Sequence, residues 1–235
     1  MFKNDLEFST LAMRHNIKLW DVRDVPTELP VGAGRVLSLD AKIILTVGTD
    51  CKIGKMTAAI LMEEEMKKRG LRTAFIPTGQ IGILIKGYGL SIDRVIGDFM
   101  AGATEQLILD HGKGADYIFV EGQGALAHLG YSAVTLGIMH GSLPDFMVLC
   151  HEPARKCVVE SSFPLPALDV AISQYEGLIS PYKKTRVTGI ALKCPEMTKA
   201  DCQKEMDRIE NWLGLPTTDP MQFGTSRLVD AILKE

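Results

Sequence analysis

The chain has 235 residues, 46% hydrophobic and 23% charged, with 26 Lys and Arg against 29 Asp and Glu. This composition excludes a disordered chain. A net charge of -3, the absence of a basic block and 6% aromatics argue against a nucleic-acid binder.

No apolar run approaches the ~20 residues that span a bilayer. The N-terminal stretch has neither the apolar core nor the cleavage site of a signal peptide. The expected partner is a small molecule, with no nucleic acid and no membrane. The five cysteines, Cys51, Cys150, Cys157, Cys194 and Cys202, are widely spaced and form no C-x-x-C. Their pattern points to a reduced, cytoplasmic protein, and the apolar content to a homo-oligomer.

In chain order, residues 5–15 read as a short helix and 18–22 as a short strand. Pro26, Pro30, Gly32 and Gly34 then break the chain. Residues 1–38 read as a remnant or edge of an N-terminal α/β domain plus linker, and 39–235 as one further domain. Apolar runs of strand length follow at 43–47, 73–77, 117–120, 146–150 and 187–192, as in a parallel sheet buried on both faces. Between them lie helical patterns. Residues 55–69 pair Glu63 with Lys67, Glu64 with Lys68 and Glu65 with Arg69 at i, i+4. Residues 92–109 carry Ile92, Val95, Ile96, Phe99, Ala103, Leu107 and Ile108 on one stripe. Further helices are expected at 170–179, 199–213 and 226–234. Strands alternating with helices predict an α/β fold, three-layer, with a mainly parallel sheet. Ligands should bind at the carboxyl ends of its strands.

The strongest motif follows the first apolar strand: Gly48, Thr49, Asp50, Cys51, Lys52, Ile53, Gly54, Lys55, Met56 and Thr57. Glycines let backbone N–H groups wrap an anion, a helix N-terminus adds partial positive charge, and the lysine adds a full one. The usual phosphate loop has four residues between its glycines and Ser or Thr after the lysine. Here there are five, and Met56 takes the hydroxyl's place, with Thr57 one step later. A thioether is a poor ligand for Mg²⁺, so the cradle is kept while the metal hydroxyl is lost.

Glu121 ends a strand at the same edge, and can hold a metal or act as a general base. Asp98, Gly102 and Glu105 share a helix face that would receive an amine, or would simply be solvated. Gln80 is read as a polar, cofactor-binding contact in a glycine-bracketed loop that acts as a lid over the ligand edge. His128 and His151 sit at the ligand edge, whereas His140 lies at the opposite end of its strand. No histidine pair has zinc spacing, and the identity of any metal stays open.

Gly48, Thr49, Asp50, Gly54 and Lys55 resemble the variant phosphate loop of dethiobiotin synthetase, and Val120, Glu121 and Gly122 resemble its second motif. A broader resemblance, from about Asp21 to the end, is to the D-glutamate N-acetyltransferase-like family, long carried as a domain of unknown function. It rests on the loop through Thr57 and on segments 78–82, 98–105, 120–124, 140–145, 151–153 and 219–220. Met56 belongs to that family's pattern. The resemblance implies a P-loop NTPase-like domain and a complete α/β domain before it. It also implies acetyl transfer from acetyl-CoA to the amino group of D-glutamate or a similar acid. It supports His140, Asp98 and Glu105 beside Glu121 as catalytic residues. An ATP-dependent ligase or kinase using ATP with Mg²⁺, and a non-catalytic nucleotide-binding module, are the alternatives.

Overall fold

The structure, a computed structural model, describes residues 4–234. Six strands run β1 (Lys42–Gly48), β2 (Thr73–Ile76), β3 (Tyr117–Val120), β4 (Phe146–His151), β5 (Arg186–Leu192) and β6 (Thr217–Thr218). They form one sheet in the order β2-β3-β1-β4-β5-β6, and every neighbouring pair is parallel. The helices are α1 (Leu6–His15), α2 (Lys55–Lys68), α3 (Gln80–Lys86), α4 (Gly97–His111), α5 (Ser132–Ser142), α6 (Leu168–Ile179), α7 (Lys199–Leu213), α8 (Pro220–Phe223) and α9 (Ser226–Leu233).

The side-chain period of two in a strand divides the core between the faces of the sheet. Ile43, Leu45 and Val47 of β1 join one apolar layer with Leu107 of α4, Ile138 of α5, Tyr175 of α6 and Met206 of α7. Ile44 of β1 joins the other layer with Ala58 and Met62 of α2 and Leu228 of α9. The result is three layers, helix, sheet and helix, as the alternating pattern predicts. Each fully buried Ile, Leu or Phe contributes about 1.5–3 kcal/mol of transfer free energy, so the central strands anchor the fold.

The chain leaves β1 for β2, returns to β3, and crosses β1 to reach β4. The loops after β1 and β3 therefore diverge beside β1, where open α/β sheets form their binding crevice.

Some expectations need correction. Residues 18–22 form no strand, because no neighbouring strand pairs with them. The predicted 92–109 helix is a 3₁₀ turn (Ile92–Arg94) followed by α4, with exposed Ile96 as the residue before its first turn. The expected lid after Thr78 is largely the helix α3. Helix α5 and the two-residue β6 were not foreseen. Val36 is buried in the core beside the sheet, and Val25, Leu29 and Leu39 pack against it.

Candidate functional site

The loop from Gly48 to Lys55 leaves β1 and turns into α2. Gly54 closes it with φ of +92°, a conformation open to glycine at little cost. The first N–H groups of α2 have no intrahelical acceptor and face the loop. Lys55 is only 6% exposed, and its Nζ donates to the Asp50 carbonyl at 2.7 Å. Among the described residues no carboxylate forms an ion pair with it. Burial pushes its pKa down. An ammonium with three donors, one of them bonded within the loop, is built to meet an anion.

The rest of the loop is braced from outside. Asp50 is fully buried, and its carboxylate accepts from the Cys51 and Val159 N–H groups and from Arg155. Burial pushes the Asp50 carboxyl up, but the Arg155 hydrogen bond and the two N–H donors outweigh it and hold the pKa below the usual value. Arg155 also donates to the Cys51 carbonyl at 2.7 Å. Tyr175 donates its hydroxyl proton to the Gly48 carbonyl at 2.7 Å. Thr49 Oγ1 lies 2.9 Å from His151 Nδ1. Burial lowers the His151 pKa to about 4, so this ring is neutral at pH 7. Lys193 Nζ donates to the carbonyl of exposed Lys52. Ile53 is buried, and half-buried Met56 packs against the apolar layer under α2. Thr57 faces a cavity of about 610 Å³ that extends past Lys193, Cys194, Asp219 and Gln222.

Glu121 stands at the end of β3 and is 6% exposed. Its Oε2 accepts from the Thr78 and Gly79 N–H groups at 3.0 and 3.1 Å. Oε1 has no hydrogen-bond partner among the described residues. Burial raises the carboxyl to about 7, against the two N–H bonds and the nearby Lys55 charge, which lower it. A carboxyl that titrates near neutrality beside an anion cradle can accept a proton during a reaction.

The sequence profile of the DUF1611 P-loop domain, described as a domain of unknown function, matches residues 30–229. The chain belongs to this family. A DUF1611 family protein from Anabaena variabilis, known from a crystal structure, superposes with a TM-score of 0.92 at 34% identity, covering 99% of this chain and 68% of its own. A protein of Tritonibacter scottomollicae named D-glutamate N-acetyltransferase is 35% identical over 99% of this chain and 69% of its own length. One from a Pseudoalteromonas species, with the same name, is 34% identical over 95% of this chain and 67% of its own. A nucleotide-binding protein from Archaeoglobus fulgidus, in complex with ADP, has a TM-score of 0.50 at 16% identity and shows the P-loop NTPase-like fold.

Within this DUF1611 domain the structure separates the remaining predicted residues. Glu105 is 1% exposed and accepts from the Ala33 and Arg35 N–H groups, with the Arg35 side chain 3.4 Å away. One helical turn earlier, a Cβ on Gly102 would stand 1.9 Å from the Pro30 carbonyl oxygen. This face of α4 therefore grips residues 30–35 of its own chain. Asp98 is exposed in the first turn of α4. His140 is in the last turn of α5, edge-on to Tyr182, and α5 feeds the amino end of β4. That is the sheet edge opposite the phosphate loop. Gln80 is exposed and accepts from Arg23 at 3.3 Å, so it faces the N-terminal segment. Sequence reasoning missed Arg155 and Tyr175, which lie 104 and 127 positions from the loop residues they hold. Among the described residues no helix is long and apolar enough to cross a membrane.

Proposed function

We propose that this protein is an N-acetyltransferase that moves an acetyl group from acetyl-CoA to the amino group of D-glutamate or a similar amino acid. The observation that carries the reading is the buried Lys55 ammonium at the mouth of a loop whose metal-binding hydroxyl is replaced by Met56. Such a loop suits phosphates held without the usual Mg²⁺ ligand. The names of the two curated relatives support the activity.

On this reading Lys55 and the first N–H groups of α2 hold phosphate oxygens of CoA. The cavity beside Thr57 has room for the adenosine part. Bound acetyl-CoA supplies a thioester with an electrophilic carbonyl carbon. Acyl transfer requires the acceptor amine to be neutral. Glu121, titrating near 7, takes a proton from the substrate ammonium through Oε1, while Thr78 and Gly79 keep the carboxyl oriented through Oε2. Backbone N–H groups of the loops after β1 and β3 are the candidate donors to the developing oxyanion. Amine and thioester become amide and thiol, one for one.

Calorimetric titration with CoA, and separately with ATP and Mg²⁺, tests the phosphate site. Incubation with acetyl-CoA and D-glutamate should then release one thiol per N-acetyl product. Much tighter binding of ATP with Mg²⁺ than of CoA would sink the proposal and favour an ATP-dependent ligase or kinase.

A further inference from the structure

His128 lies between β3 and α5 and is 6% exposed. Its Nδ1 accepts a hydrogen bond from the Gly130 N–H at 3.1 Å. That bond assigns the ring proton to Nε2. Nε2 is buried and has no hydrogen-bond partner, the one such side-chain atom among the described residues. Stacking on Tyr131, at 4.4 Å between ring centroids, restrains the plane of the ring.

The environment of this orphaned donor is informative. A ring nitrogen of His128, the Cys51 sulfur and an Asp50 carboxylate oxygen lie within 4.8 Å of one another. The ring therefore flanks the middle of the phosphate loop. The Asp50 carboxylate already accepts from Cys51, Val159 and Arg155. With Arg155 and Lys55 beside it, the cluster is a poor place for a cation. A buried N–H without an acceptor destabilises the fold, and such groups call for an explanation.

We propose that His128 Nε2–H donates a hydrogen bond to an oxygen of the phosphate group seated on the loop from Gly48 to Lys55. His128 is then a binding residue. With Nδ1 already accepting from Gly130, it is not a general base. The inference rests on reading that loop as a phosphate site, but not on which phosphate ligand occupies it. CoA and ATP offer the same oxygen chemistry.

Two variants test it. His128→Phe keeps a ring to stack on Tyr131 and removes the donor. His128→Gln replaces the ring but keeps an N–H near the position of Nε2. CoA and ATP are titrated separately into wild type and both variants, and unfolding is followed without ligand. The expected result is roughly tenfold weaker binding in His128→Phe of whichever ligand wild type binds, about one lost charge-assisted hydrogen bond, with substantial recovery in His128→Gln. Ligand-free His128→Phe should be at least as stable as wild type, since the orphaned donor is gone. Unchanged affinity in His128→Phe, or lower stability without ligand, would mean that Nε2–H is bonded within the protein or to water, and would overturn this inference alone. If wild type binds ATP and not CoA, the acetyl-CoA reading fails while the variants still decide the role of His128. If it binds neither, both fall.

Discussion

Glu105 and Glu121 are both buried acids near glycines, yet their surroundings give them opposite roles. Glu105 is closed by its own chain: two N–H groups and an arginine from residues 33–35 converge on its carboxylate. Glu121 is bonded through one oxygen to Thr78 and Gly79, and burial raises its pKa to about 7. The first arrangement lowers the free energy of the folded chain. The second leaves a partly unsatisfied acid where strand ends and the phosphate loop meet. Lys55 and His128 fit the second pattern, one a buried ammonium and the other a buried N–H without an acceptor. On the proposed function, what separates the ligand site from the structural clamp is the hydrogen-bonding capacity left unused after folding.

The largest expected effect breaks the clamp. Glu105→Ala leaves the Ala33 and Arg35 N–H groups without their buried acceptor, and should cost about 3 kcal/mol in urea unfolding. On the proposed function, the variant's folded fraction should bind CoA with the wild-type affinity. A matching loss of intrinsic affinity would mean that the two regions are one site.

Glu121 sharpens the contrast through pH. Its folded pKa of about 7 lies above the free value of 4.5. Burial is therefore tolerated while the acid is protonated, and the folded state loses stability as pH rises from about 4.5 through about 7. Glu121→Gln cannot ionise, so its stability relative to wild type should increase by roughly 3 kcal/mol across that window. Activity should fall sharply in the same variant. On the proposed function, acetyl transfer by wild type should rise with pH through about 7, as ionised Glu121 accumulates. A stability difference that stays flat with pH would remove the case for a neutral-range base.

Asp98 gives the smallest effect. Its exposed carboxyl shares the α4 face with Glu105 without sharing its contacts. Asp98→Ala should change stability by less than about 0.5 kcal/mol and leave CoA affinity unchanged. A clear loss of acetyl transfer would make Asp98 a substrate contact.

The legibility of the sequence follows the range of the interactions. The phosphate loop was readable because Gly48, Gly54 and Lys55 lie within one strand-turn-helix. The central strands were readable from continuous apolar runs that both faces of the sheet bury. The clamp was not, because Glu105 meets partners 70 and 72 positions away. Helix α5 was hidden by Gly137 and Gly141. Their missing side chains admit Met100 and Ala101 of α4 and weaken the helical signal. Strand β6 is too short for any period to register. His128 was visible only as a histidine at the right edge. Its unused Nε2–H depends on Gly130 and on the fold around it.

The most direct test of the central claim is calorimetric titration of acetyl-CoA into wild type and Lys55→Met, with ligand-free unfolding measured in parallel. Replacing the buried ammonium by a similar apolar side chain should weaken binding by about 100-fold, the order of one or two charge-assisted hydrogen bonds. It should leave the ligand-free fold as stable as wild type or more so, because a buried charge is removed. Undiminished binding in Lys55→Met, or a destabilised ligand-free fold, would contradict the account by making Lys55 a structural residue like Glu105.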